Sequence, residues 1–264
     1  MISNEIAHEE LDGLKMSGAG FIDHEWKRYT QAEDAVWAEL CRRRLPELPS
    51  TASAAYLKGL DALDMPFDRV PYFDELNAKL QPLTDWTIRA VNGFIPAKMF
   101  FGSMGERRFP STLEIRPAEQ LEYLQEPDIF HDIFGHIPMH TDPVFADFVQ
   151  QYGKLAADLQ DQERFDALAR LFWYTVEFGL VSEQDQVRLY GSGLISSFGE
   201  AEHVYRGGPE IRAFDLNEVI TTPFRIDIYQ PVLFVIDGFD QLVEAVQTLR
   251  ARWEDSLAPG ARAS

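Results

Sequence analysis

Pro127-Asp-Ile-Phe-His131-Asp-Ile-Phe-Gly-His136-Ile-Pro138, answered further along by Leu171-Phe-Trp-Tyr-Thr-Val-Glu177-Phe-Gly-Leu180, is the pair of segments on which the reading of this chain turns. Two neutral imidazoles and one carboxylate make a three-ligand metal site with positions left open for chemistry. Among transition metals that set suits non-haem ferrous iron best. His131 and His136 stand at i and i+5, which on an ideal helix separates them by about 140°. A straight helix cannot aim both at one ion, unlike the i, i+4 spacing of a zinc-protease helix. Gly135 and Pro138 both favour ending the helix, so His136 is expected on its frayed end or in the turn beyond.

The rival pair, His136 and His140, has i, i+4 spacing but is interrupted by Pro138. Thr141-Asp142-Pro143 then starts a new helix, with a cap followed by proline, expected over 144–155. His140 is therefore read as a surface residue or a neighbour of the ligands. Glu177 carries the stronger physical argument. It is the only charged residue from Leu171 to Val181, flanked by Phe172, Trp173, Tyr174, Val176 and Phe178. A helix apolar all round is buried, and a buried carboxylate is costly unless paired, protonated or bound to metal. The plain alternative is a structural pair with Arg170 or Arg188. Zinc also remains open, because a two-histidine, one-glutamate set occurs in zinc hydrolases. The His-Glu-x-x-His helix of those enzymes is absent; Asp132 fills the position beside His131 and points about 100° away on a helix.

Composition narrows the setting. The formal charge of −19, from 24 basic and 43 acidic residues, argues against a nucleic-acid backbone or an anionic membrane as partner. Cys41 is the sole cysteine, which excludes an intramolecular disulfide and a cysteine-rich metal site. The opening residues, with Glu5, Glu9, Glu10 and Asp12, lack the apolar segment of a signal peptide, and no apolar run approaches membrane-spanning length. A soluble cytoplasmic protein is expected.

Outward from the two segments, the pattern is mainly helical. From Thr30, a plausible cap, Ala35, Val36, Trp37, Leu40 and Cys41 line one helical side. The triplet Arg42-Arg43-Arg44 reads as a solvated last turn favoured by the helix dipole. Further helices are expected over 53–63, over 72–80 after Pro71, over 96–104 and over 239–253. Short strands are expected over 86–91, before an Asn92-Gly93 turn, and over 113–115, 224–229 and 232–236. The fold class is mainly α (α+β): one helical domain with a few short strands over 25–256. A loosely held acidic arm over 1–24, with His8 and His24 solvated, and a small-residue tail over 257–264 flank it.

Taken together, Glu126-Pro-Asp-Ile-Phe-His-Asp-Ile-Phe-Gly-His-Ile-Pro138, Trp173-Tyr-Thr-Val-Glu-Phe-Gly-Leu180, Tyr190-Gly-Ser-Gly-Leu-Ile-Ser-Ser-Phe-Gly-Glu200 and Arg225-Ile-Asp-Ile-Tyr-Gln-Pro231 resemble the pterin-dependent aromatic amino acid hydroxylases. The short bacterial phenylalanine 4-hydroxylases are the nearest in pattern. The resemblance runs in order and spacing from about Tyr29 to Leu249, and four long motifs in register are far more specific than the histidine spacing alone. It implies ferrous iron held by His131, His136 and Glu177, tetrahydrobiopterin as reducing cosubstrate, and dioxygen as oxidant. Holding pterin and substrate ring near the metal is then the protein's main task, while oxidising power belongs to the cofactors.

By position, the resemblance assigns the substrate carboxylate to Arg116, whose guanidinium suits a bidentate pair, and the orienting of Arg116 to Asp128. It places Trp173, Phe178, Pro127 and the backbone around Leu124 around the substrate ring, and Ser196 beside the substrate and a ligand histidine, where a hydrogen bond would fix its tautomer. For pterin it implies backbone groups of Gly93, Phe94 and Ile95, a stacking ring at Phe100, and Asp132 facing the pterin side of the iron. Core packing is the simpler reading of Phe100, Trp173 and Phe178 alone, and for the tryptophan and Phe178 the two roles are compatible. Some positions depart from the pattern: Phe172 stands where relatives often have tyrosine, and Leu124-Gln125 and Pro96-Ala97 differ from the animal enzymes. The regulatory domain and tetramerisation helix of animal members have no counterpart, so a monomer without a built-in allosteric domain is expected. Trp173 resembles the phenylalanine and tyrosine enzymes. Ile226, at a position acidic in tyrosine hydroxylases, argues against a phenolic substrate. Phenylalanine is the substrate expected, with tryptophan as the alternative. A zinc hydrolase and a non-catalytic amino-acid-binding protein are the rivals from other classes.

Overall fold

Local signals set where the helices begin. Thr30 and Glu33 form a reciprocal capping box, the Thr30 backbone N–H donating to Glu33 at 2.8 Å, and the helix Gln31–Arg44 follows. Ser53 caps Ala54–Ala62, and Asp142 caps Pro143–Asp158 by accepting from Val144 N and Phe145 N, each at 3.0 Å. The computed structural model describes Phe21 and residues 28–91, 95–121 and 127–255. The arm expected over 1–24, apart from Phe21, the Asn92-Gly93 turn and the tail over 257–264 lie outside those residues. Phe21 is buried and bridges Val91.

Two small sheets accompany the helices. β1 (Thr87–Ala90) pairs in parallel with β2 (Arg108–Ser111), and the helix Ala97–Gly105 lies in the connection between them. The second sheet holds β3 (Leu180–Glu183), β4 (Gln186–Leu189), β5 (Glu210–Ala213) and β6 (Val232–Ile236) in the order β4-β3-β6-β5, with only the β3–β4 pair antiparallel. The mainly helical class with a few short strands is therefore the one observed.

Several local expectations need correction. The strand expected over 113–115 lies earlier, at β2, where residues 108–111 find a ladder partner. The run 224–229 alternates but forms no strand; the carbonyls of Arg225 and Ile228 are taken by the Gln230 side chain. The third helix runs further than expected, Phe73–Thr84, through Pro82 to a left-handed cap at Asp85. Arg42 and Arg43 do sit outside, paired with Glu39, but Arg44 is buried. Its Nε donates to the Ile195 carbonyl at 2.7 Å and its Nη1 to Glu47, tying the first helix to the short helix Ser192–Ser196.

The core is aromatic and centres on Pro143–Asp158, which packs closely on Ala97–Gly105 and Asp240–Asp255. Close approach at the first contact depends on Gly153, where an added Cβ would stand 2.4 Å from Gly105 N and 2.6 Å from the Phe101 carbonyl. Both obstacles are backbone. Gly153→Ala is thus expected to cost about 1–3 kcal/mol of stability by overpacking, measurable by urea denaturation.

Candidate active site

Both ligand-bearing segments leave the α-helical path. Phe130–His136 is π-helical, and so is Trp173–Glu177, where Phe178 N donates to the Trp173 carbonyl at 2.8 Å. The wider i→i+5 turn brings residues five apart towards one face, which resolves the misalignment expected of a straight helix. The expected helix end at Gly135 is not where the conformation changes: the chain stays helical through His136 and passes directly into the 3₁₀ turn Ile137–Thr141. Gly135 serves close packing instead, an added Cβ there standing 3.0 Å from the Ser192 carbonyl.

The result is convergence. His131 Nε2 and His136 Nε2 lie 3.2 Å apart, and each is 3.4 Å from a different oxygen of Glu177. One donor atom from each residue falls within 4.8 Å of the others. Two imidazole nitrogens and both carboxylate oxygens thus converge closely enough to share one ion, so this donor set fits a metal. The surroundings fix each donor. Ser196 Oγ lies 2.9 Å from His131 Nδ1; if that nitrogen carries the proton, Nε2 is left free to ligate. Ser192 Oγ donates to Glu177 Oε2 at 2.8 Å. Burial alone would raise the Glu177 pKa, but the two imidazoles overcome it and hold the carboxyl well below its usual range. Neither arginine proposed as its partner serves it: Arg170 donates to the Ile220 carbonyl, and Arg188 to Ser50 and Gln186.

His140 is not at the surface. It is fully buried among Trp86, Phe109 and Phe145, with Nδ1 2.9 Å from the His136 carbonyl. Burial lowers its pKa to about 3, so it is neutral, and it supports the backbone that carries His136.

Arg116 and Asp128 form a buried fork, Nε to Oδ2 and Nη2 to Oδ1, both at 2.8 Å. The same carboxylate accepts from Arg116 N at 3.0 Å and His131 N at 3.1 Å, linking the arginine to the ligand segment. Burial would raise the Asp128 pKa; the guanidinium outweighs it and lowers the value. A guanidinium has five N–H donors. Three are used here, the third on the Leu121 carbonyl, which leaves two for an incoming carboxylate among the described residues.

Beside the ligands, Trp173 stacks on Phe224 (centroids 4.4 Å apart, 13° between planes) and leans on Phe178 at 4.6 Å. Phe100 is half-buried and meets Phe101, Phe109 and Phe172 edge-on. Ile95 is likewise half-buried, and Pro127 is exposed. Gly93, Phe94 and Leu124 lie outside the described residues. Asp132 Oδ2 accepts from Thr112 N at 2.9 Å, and burial raises its pKa. Sequence reasoning missed Ser192, Thr112 and Gln230. Ser192 and Gln230 fall inside quoted motifs, which was their only signal.

Glu200, also within a motif, has a buried oxygen without a partner, and burial lifts its pKa to about 7. A raised carboxyl pKa means that its contribution to stability is fully present below the unfolded value and is lost as pH rises through the folded value. Glu200→Gln is therefore expected to gain stability relative to the parent as pH rises from about 4.5 to above 7. Paired thermal melts across that range check the sign.

Two histidines and one carboxylate with open positions are the ligand set of mononuclear non-haem iron oxygenases. Residues 25–257 match the biopterin-dependent aromatic amino acid hydroxylases, and the chain belongs to that family. The chain is 46% identical to the phenylalanine-4-hydroxylase of Caulobacter vibrioides over 230 residues, 87% of this chain and 78% of that protein. A crystal structure of the phenylalanine hydroxylase of Chromobacterium violaceum with iron(III) and oxidised 7,8-dihydrobiopterin superposes with a TM-score of 0.84 at 40% identity, covering 94% of each chain. The same enzyme with iron and phenylalanine gives 0.83 at 38% identity, covering 94% of this chain and 95% of that one.

Proposed function

We propose that this chain is a phenylalanine 4-monooxygenase, hydroxylating the ring of L-phenylalanine to L-tyrosine with dioxygen, ferrous iron and tetrahydrobiopterin. The observation that carries the reading is the convergence of His131, His136 and Glu177 beside the Arg116–Asp128 fork and the Trp173 ring stack. Bound there, iron with the pterin supplies the activation of dioxygen. The chain's residues bind and orient. His131, His136 and Glu177 hold the metal; Ser196 and Ser192 fix the directions of His131 and Glu177. Arg116 takes the amino acid carboxylate, held in place by Asp128, and Trp173, Phe178, Pro127 and the Leu124 backbone surround the ring. Phe100 offers a face for the pterin, with Gly93, Phe94 and Ile95 along its edge and Asp132 on that side of the metal. Phe172, lacking a hydroxyl, contributes only apolar packing to this wall.

Trp173 and the apolar Ile226 favour phenylalanine, and the relatives named above act on it. The catalytic unit spans residues 25–256. We also propose a cytoplasmic monomer, since a charge of −19 keeps copies apart and no described helix is long and apolar enough to cross a membrane. The deciding experiment is product analysis with iron, tetrahydropterin and each of phenylalanine, tyrosine and tryptophan. Tyrosine formed from phenylalanine, dependent on iron and pterin, is the expected result. Stoichiometric zinc with indifference to pterin, or amino acid binding without oxygen consumption, overturns it.

A further inference from the structure

The run Arg225-Ile-Asp-Ile-Tyr-Gln230-Pro231 turns most of its apolar residues outwards and buries a polar one. Ile226, Ile228 and Tyr229 are 43%, 42% and 56% exposed, whereas Gln230 is 1% exposed. Both donors of its side-chain amide are engaged, and its oxygen accepts one bond. Oε1 accepts the Trp173 indole N–H at 2.9 Å, and Nε2 donates to the carbonyls of Arg225 at 2.8 Å and Ile228 at 3.1 Å. The amide cannot be reversed, because an indole only donates and a backbone carbonyl only accepts.

This matters because of what stacking leaves undetermined. Phe224 and Phe178 restrain the tilt of the Trp173 ring, but stacked faces slide and turn in plane at little cost. The bond to Gln230 restrains that remaining motion. The two carbonyls held by the same amide bracket Ile226, the position associated with substrate choice. One side chain thus ties the Trp173 ring to the 225–228 loop.

We infer that Gln230 is a positioning residue that sets the aromatic-ring pocket by locking the in-plane orientation of Trp173 to the 225–228 loop, and so determines which ring the site prefers. This rests on the reading of Trp173 as a wall of the substrate pocket. The test uses Gln230→Met, which keeps bulk without the hydrogen bonds, and Gln230→Glu, which keeps the acceptor for the indole but cannot donate to the carbonyls. Phenylalanine affinity is read by calorimetry on iron-loaded protein without pterin, alongside kcat, KM and the phenylalanine-to-tryptophan ratio of kcat/KM.

Loss of the indole bond, one of the three that Gln230 makes, is expected to weaken phenylalanine binding and raise KM about tenfold in Gln230→Met. kcat stays within about threefold, and the preference for phenylalanine over tryptophan narrows by a similar factor to KM. In a Trp173→Phe background, which has no indole N–H, the same change adds less than about twofold. Undiminished effects in that background, or a lowered melting temperature with unchanged affinity and ring preference, overturn the inference. If Gln230→Met does not fold, Gln230→Glu tests the other half of the link: with the indole bond kept and the carbonyl bonds lost, phenylalanine affinity and ring preference are still expected to fall, and unchanged values overturn the inference. Unchanged phenylalanine affinity in Trp173→Phe alone instead overturns the pocket assignment.

Discussion

Glu177→Ala is expected to lose iron and turnover together. The carboxylate is the only negative ligand in a site whose other donors are neutral, and its oxygens already face both imidazoles. Affinity for ferrous iron should fall by more than about 100-fold, beyond the range seen when residues outside the ligand set are removed. A metal contribution of several kcal/mol to the reaction corresponds to at least about 10³-fold in rate, at 1.36 kcal/mol per tenfold. Iron content after buffer exchange gives the first reading. Thermal stability gives a second that does not depend on turnover. Ferrous iron at 100 times its Kd stabilises the parent by about 2.7 kcal/mol, and the variant should show almost none of that gain. Full retention of iron and activity would remove Glu177 from the ligand set.

Arg116→Ala is expected to act on binding and on folding, and the two effects can be separated. Loss of a charge-assisted fork to the amino acid carboxylate removes about 3 kcal/mol, or roughly 100-fold in KM for phenylalanine. The variant should also lose its discrimination between phenylalanine and phenethylamine, which has no carboxylate. Asp128 is left buried without its cation, a cost of about 3–5 kcal/mol in stability. Adding Asp128→Asn should restore much of that stability without restoring phenylalanine binding. If the double variant recovers the parent KM, Arg116 is a structural partner of Asp128 and does not receive the substrate.

What could be read from the sequence was local, and what could not was set by distant partners. Thr30, Ser53 and Thr141-Asp142-Pro143 act within a few residues, and the helices start where those signals stand. Residues 232–236, a short β-branched run, form the strand expected of them. The β3–β4 hairpin escaped because it turns on Gln184-Asp185, both left-handed, in place of the usual asparagine-glycine. The run 224–229 misled because alternation does not guarantee a ladder partner. Arg44 looked solvated because its acceptor, Ile195, lies far away in the chain. At the candidate site, the isolation of Glu177 and the histidine pair pointed to a metal, and those donor atoms do meet. Their geometry was not legible, since periodicity arguments assume α-helical turns. The bond between Ser196 and His131 was implied by resemblance alone.

The π turns have a consequence for how such a centre can be moved between proteins. Each spaces its hydrogen bonds five residues apart, so each holds about one more residue per turn than a regular α-helix. The His-x₄-His spacing is therefore not a portable motif in its own right. Grafted onto a regular helix, it would splay its imidazoles apart, and a designer working with ordinary helices would have to shorten the interval by one. In this chain the widened backbone and the spacing form a single unit of inheritance, and neither is useful without the other.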